Sequence, residues 1–302
     1  MRGDDLLEGT GALLDFGDDH PWHPSKGLFT IDDKLSFRPG PNNEGYGPHG
    51  AKKNDYPVVK PDAVKRVVCL GDSVTEREKI VQALRSEIDP SGKKYEFWAL
   101  GVGGYGTRQE LEYFRRYGIS LAPDHVLLTF SFNDYEVTPV IMIGPEGEVL
   151  RFASNNPRRI NPWLLRHSYI YRAFLQLDTR APDRQEAVAA VEGALRELKE
   201  ECDSLNIGLT VIVQPLLFPE NLVEPELEEK MLEQHAQTLA MLAELQIPAW
   251  DLLPTVEAAR AAGITLGEVE FDVHHPTDDL AQMYVEMLTE EGSWWDFVLG
   301  EL

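Results

Sequence analysis

Five short apolar runs, separated by stretches of helical period, constrain this chain more than any other feature. They are "KRVVCL", "YEFWAL", "DHVLLTFSF", "IGLTVIV" and "IPAWDLL". Each is rich in β-branched or aromatic residues, and each is strand-length rather than helix-length. Between them lie helix-like segments: "TEREKIVQALRSEI", a stretch at about 107–117, and a long one at about 184–205. Strands alternating with helices imply a mostly parallel sheet covered on both faces. The expected fold class is therefore α/β, a three-layer α/β/α sandwich around a five-stranded parallel sheet.

Finer expectations follow from local pattern. Thr75 and Glu78 have the spacing of a capping box at the start of the first helix. In the 184–205 segment Val188, Val191, Leu195, Leu198, Cys202 and Leu205 recur at intervals of three and four. A short coiled-coil seam has that spacing, but a helix lying on a sheet gives the same stripe, and the latter is favoured here.

Residues 1–62 show neither period and are rich in Gly, Pro, Asp and Asn. They are expected to form an irregular arm packed on the main domain, with one hairpin around "GLFTIDDKLSFRP". The main domain is expected to run over 63–302, with an insertion at about 134–168. Within it "VIMIGPEGEVLRF" has the pattern of a second hairpin.

Charge narrows the partners. The net charge of -23 argues against nucleic acid, whose phosphates must be neutralised by Lys and Arg, and against anionic membrane surfaces and polyanionic substrates. Cys69 and Cys202 both fall on apolar faces and are expected as packed thiols. No metal-binding Cys or His spacing is present, so no metal is expected. The first twenty residues lack a cationic start with an apolar run behind it, and nowhere do eighteen apolar residues follow one another. A soluble chain is expected. Its compartment stays open between the cytoplasm and an exported or periplasmic place, reached with a signal or anchor outside this sequence.

The candidate chemistry lies just past the strand ends, where open α/β sheets carry their sites. "GDSVT" brings Asp72 and Ser73, "GVGGYGT" brings glycine amides, "FNDYE" brings Asn133, and "FDVHHPTDD" brings Asp272, His274 and His275. A serine hydroxyl becomes a useful nucleophile only when an imidazole takes its proton, and that imidazole must be oriented, usually by a carboxylate. The oxyanion formed on attack needs fixed donors, which backbone N–H groups and an Asn amide supply. "GVGGYG" also reads as G-x-G-x-x-G, the pattern of a dinucleotide loop. That loop would follow the first strand of its unit, with an acidic residue ending the next. Here the glycines follow the second strand, and the next one ends in Ser131, Phe132 and Asn133, so an oxyanion loop is the better reading.

These four blocks resemble those of the SGNH, or GDSL-type, hydrolases. "GDSVT" is similar to the first block and aligns Ser73 as nucleophile and, through its N–H, as one oxyanion donor. "ALGVGGYGT" is similar to the second and aligns Gly104 as another donor; "SFND" is similar to the third and aligns Asn133. "DVHHP" is similar to the D-x-x-H-P block and aligns Asp272 and His275 rather than His274. The chain departs from the pattern at Ala99, where the family usually has Asn, and at Ser131, where it usually has Gly. The resemblance spans about residues 65–290. It implies flavodoxin-like strand order and a serine esterase acting without metal or cofactor through an acyl-Ser73 intermediate. The implied substrate is a carbohydrate or small-molecule ester, with O-acetyl or another short acyl group as the group removed. An O-acyltransferase using the same site and a non-catalytic binding protein on a hydrolase scaffold remain alternatives. Trp22, Tyr105, Tyr135 and Trp163 are candidate sugar-stacking aromatics, although plain packing accounts for such residues more often.

Overall fold

The computed structural model describes residues 28–32, 34–135, 140–143, 149–152, 163–164, 168, 171, 184–218, 225–269, 272–290 and 292–301. The chain divides into two compact units. One comprises Met1–Tyr46 and Tyr135–Val191, the other Gly47–Asp134 and Glu192–Leu302.

The described part of the first unit contains two hairpins. Strand β1 (Phe29–Asp32) pairs antiparallel with β2 (Ser36–Pro39). At their turn the Asp32 carboxylate accepts the Lys34 and Leu35 N–H groups at 3.0 and 3.1 Å, an Asx-type turn. Strands β6 (Val140–Ile143) and β7 (Val149–Phe152) also pair antiparallel, so both hairpins expected from the sequence are present.

The second unit holds the sheet. Its first strand is β3 (Lys65–Gly71), followed by a one-turn helix α1 (Ser73–Glu76) and helix α2 (Lys79–Ile88). Then come β4 (Tyr95–Gly101), α3 (Thr107–Tyr113) and β5 (His125–Phe130). After these follow α4 (Arg184–Leu205), β8 (Gly208–Val213), α5 (Pro225–Glu244) and β9 (Ala249–Asp251). The chain closes with α6 (Leu253–Ala261), α7 (Asp278–Thr289) and α8 (Trp294–Glu301). The order β4-β3-β5-β8-β9, with every neighbour parallel, is the flavodoxin-like 2-1-3-4-5 arrangement. The switch point lies between β3 and β5, and the loop after β3 carries Ser73.

Helices α2, α6, α7 and α8 cover one face of this sheet, while α3 packs against β3 and α5 against β8 and β9. Val67, Cys69, Phe97, Ala99, Leu127 and Ile212 turn toward the first face and pack with residues of α2, α6, α7 and α8. The alternate residues Val68, Leu70, Leu100, Leu128 and Val211 are buried too, which is why these strands read as continuous apolar runs. Cys69 and Cys202 are buried and unpaired, and burial pushes both thiols up to about 12.

Two local expectations are corrected. The capping box at Thr75 and Glu78 does not form. The helix starts earlier, at Ser73, because the Asp72 carboxylate caps it by accepting the Val74 N–H at 2.9 Å. Thr75 Oγ1 donates instead to the Leu70 carbonyl. Glu78 sits in a left-handed conformation between α1 and α2 with its carboxylate on Arg85. The helix at 107–117 is also not uniform: after Tyr113 it widens into a π-helical turn (Phe114–Gly118) and then tightens into a 3-10 turn (Ile119–Leu121).

Candidate active site

All the residues singled out at strand ends lie in the second unit, at the carboxyl edge of the sheet. Ser73 is the first residue of α1, held against the end of β3 by the Asp72 cap. This placement demands close approach from β4. A Cβ on Gly101 would lie 2.2 Å from the Glu76 backbone nitrogen and 2.5 Å from the Thr75 carbonyl carbon, so only glycine lets β4 pass α1.

His275 reaches Ser73 from the loop before α7. Its Nε2 is 2.9 Å from Ser73 Oγ, and its Nδ1 is 2.9 and 3.0 Å from the two carboxylate oxygens of Asp272. Asp272 Oδ1 also accepts the backbone N–H groups of His274 and His275, each at 3.0 Å. Burial works to raise the Asp272 pKa. The His275 and His274 amides, together with the His275 side chain, outweigh it and hold the carboxyl below its usual range. The loop is pinned on both sides. Leu217 N–H donates to the Val273 carbonyl, Gln214 Nε2 donates to the His274 carbonyl, and Gly267 bridges to Pro276. Thr277 then caps α7 by accepting the Leu280 N–H at 3.2 Å.

The His274 ring stands outside this relay, to which the residue contributes its backbone N–H and carbonyl. Burial first, then the neighbouring His275, lowers the His274 pKa.

The two remaining loops complete the edge. Gly104 is exposed and has φ +77°, a left-handed conformation that a side chain would strain. Asn133 sits in a 3-10 turn (Phe132–Tyr135) after β5 and donates through Nδ2 to Asp72 Oδ2 at 2.6 Å. One Nδ2 proton is used there, and the amide has a second. Asp72 thus ties the Ser73 loop to the Asn133 turn.

Some contacts were not foreseen. The Glu76 carboxylate accepts the Gly103 N–H at 2.8 Å and so braces the glycine loop from α1. Ala99, one of the two departures noted in the sequence, is buried in the core and contributes no polar group. Behind the Asn133 turn, Asp134 accepts the Ser131 N–H at 2.6 Å and the Thr107 hydroxyl at 3.0 Å. Ser131 is buried as well, with its hydroxyl unpartnered.

Of the described candidate aromatics, Tyr105 belongs to the unit that holds this site. Tyr105 is buried edge-to-face against Tyr113, which makes it a packing residue rather than an open platform. Trp163 is 66% exposed in the other unit, where Tyr135 also belongs, and Trp22 lies outside the described residues. Among the described residues, no group of three His, Cys, Asp or Glu side chains is arranged to hold a metal ion, and no helix is long and apolar enough to cross a membrane.

No protein-family model matches the chain, and no curated protein matches it. Among solved structures, it is similar to an acetyl xylan esterase at 14% identity and TM-score 0.47, covering 73% of this chain and 96% of that one. A catalytic mutant of an acetylxylan esterase from Geobacillus stearothermophilus aligns at 13% identity and TM-score 0.47, covering 74% and 91%. A GDSL-like lipase from Bacteroides thetaiotaomicron aligns at 18% identity and TM-score 0.42, covering 79% and 89%. The fold described above rests on the order and direction of the strands themselves.

Proposed function

We propose that the chain is an SGNH-type serine esterase that cleaves a carboxylic ester through an acyl-Ser73 intermediate. The observation that carries this reading is the unbroken run of contacts from Asp272 through His275 to Ser73, at 2.9 Å on each side of the imidazole. In acylation Ser73 Oγ attacks the ester carbonyl carbon while its proton passes to His275 Nε2. The carbonyl π electrons move onto oxygen, and the oxyanion is met by the Ser73 and Gly104 N–H groups and by Asn133 Nδ2. As the intermediate collapses, the carbon–oxygen bond to the alcohol breaks and His275 returns the proton to that alcohol. Water, deprotonated by His275, repeats the sequence to release the acid. Asp272 stays ionised throughout and steadies the imidazolium.

Charge guides the choice of alcohol. A net charge of -23 repels strongly anionic glycans at long range, an effect that salt screens. The substrate we favour is a short acyl ester, O-acetyl first among them, on a neutral or cationic carbohydrate or small alcohol. The test is acetate release from O-acetylated neutral and acidic glycans across a salt series, with and without an added sugar acceptor. Faster release from the neutral glycans at low salt, converging as salt rises, is expected. Faster release from the acidic ones at low salt would overturn the charge argument. Acetyl transfer to the sugar outpacing acetate release would make the protein an acyltransferase with the same residues in the same roles.

A further inference from the structure

Behind the Asn133 turn lie three buried carboxyl groups that the proposed mechanism does not use as acid or base. Asp72, Glu110 and Asp134 are 0%, 1% and 2% exposed. They belong to the end of β3, the first turn of α3 and the turn after β5. Asp134 is well supplied with donors, namely the Ser131 N–H and the Thr107 hydroxyl. Glu110 is the opposite: neither of its oxygens receives a hydrogen bond from a donor group. Glu110 stands one helical turn after Thr107, whose hydroxyl donates to Asp134, so the two buried carboxyls meet at one place between α3 and the turn after β5, and the Asp134 charge acts on Glu110. Two carboxylates cannot bond unless one carries a proton, and the one without donors is the one that keeps it.

We propose that Glu110 and Asp134 share a single proton, Glu110 donating and Asp134 accepting, and that this bond locks the Asn133 turn to the glycine loop. Thr107 opens α3 directly after Gly106 at the end of the glycine loop, Glu110 lies one turn further on, and Asp134 adjoins Asn133. The pair therefore sets the separation of two loops that the esterase reading assigns to the oxyanion. Glu110 is a positioning residue in this account, and its effect on catalysis rests on that reading; the shared proton itself does not.

The electrostatics agree with the geometry. Burial first, then Asp134 and Asp72, raises the Glu110 pKa well above its usual value. Burial first, then Asp72, raises that of Asp134. His275 acts on Asp72 in the opposite sense, although burial still raises the Asp72 pKa overall. The folded chain thus retains a proton that the unfolded chain loses at about pH 4. From there up to the pair's own titration, stability falls as pH rises, by about tenfold in the folding constant per pH unit for one retained proton.

The test combines infrared spectroscopy with pH profiles on the whole chain. At neutral pH, wild type should show the carbonyl stretch of a protonated carboxyl, absent from Glu110→Gln. The band should fade reversibly on alkaline titration, in step with kcat on p-nitrophenyl acetate. Glu110→Gln, a neutral donor at every pH, should keep its kcat at slightly acid pH within about threefold of wild type and lose the alkaline fall attributable to the pair. Glu110→Ala should lose about 10–100-fold in kcat with little change in KM, since small misplacements of catalytic groups cost that much. A wild-type spectrum without the band, or a band that survives Glu110→Gln, would overturn the proposal. Because the band needs no turnover, an inactive protein that shows it would count against the esterase reading and for the shared proton. The wild-type titration stands even if a variant fails to fold.

Discussion

His274 and His275 are adjacent in sequence and both donate a backbone N–H to Asp272, but they differ in what their side chains touch. His275 bonds both Ser73 and Asp272, whereas His274 offers the loop its backbone, its N–H to Asp272 and its carbonyl to Gln214. We expect His275→Ala to lower kcat by about 10⁴–10⁶ and His274→Ala by less than about tenfold, measured on the same activated ester. The reverse ranking would contradict the assignment. Asp272 adds a pH dependence to stability. Its folded pKa lies below the unfolded value, so its contribution is present above about pH 4 and is lost as pH falls through the lower folded value. The spacing of D-x-x-H made this pair legible in the sequence, because three residues on one turn can return to each other. Glu76 was not legible, because its bond to Gly103 exists only once β4 has passed close to α1. Glu76→Leu should lower kcat by about 10–100-fold, in line with loss of a hydrogen bond to a charged group, while Glu76→Gln, which keeps an acceptor, should cost far less. Equal losses in the two variants would show that the charge rather than the brace matters.

The strands were legible because burial on both faces leaves apolar runs with little else in them. Helix ends were harder, since side chains compete for the same orphan groups. Asp72 took the cap that Thr75 was expected to supply, as its carboxylate lay one residue ahead of the helix. The stripe on α4 is buried at Val191, Leu195, Leu198 and Cys202 but ends at Leu205, which is 45% exposed. Polar residues inside strands carry the least visible information. Arg66 on β3 and Glu96 on β4 form a buried ion pair at 2.7 Å, with side chains 0% and 1% exposed. Arg66 also donates to the carbonyls of Pro57, Val58 and Leu121, and Trp98 Nε1 donates to Glu96. The pair stitches both strands to the segment before the sheet. Truncating one partner leaves a buried charge behind, so Glu96→Ala should cost about 3–5 kcal/mol in denaturant unfolding. A cost below about 1 kcal/mol would mean that water or a shifted backbone replaces the carboxylate.

At the scale of the molecule, the parallel order 2-1-3-4-5 brings four loops distant in sequence to one sheet edge. Ser73 and His275 are 202 residues apart yet in contact. Alternating strand and helix patterns implied the layers, and the strand-end rule located the edge. Which loops would touch depended on sheet order, and that order entered the sequence reading only through resemblance. The carboxyl group of Glu110 shows where such reading stops. An acidic residue in the first turn of a helix looks solvent-facing until the turn after β5 is laid against it. The account turns on Ser73 being a nucleophile activated by His275. Intact-protein and peptide mass spectrometry after treatment with a fluorophosphonate measures this most directly. The account predicts one covalent adduct located on Ser73, abolished by Ser73→Ala and strongly slowed by His275→Ala. An unmodified wild type, or an adduct carried equally by Ser73→Ala, would contradict it.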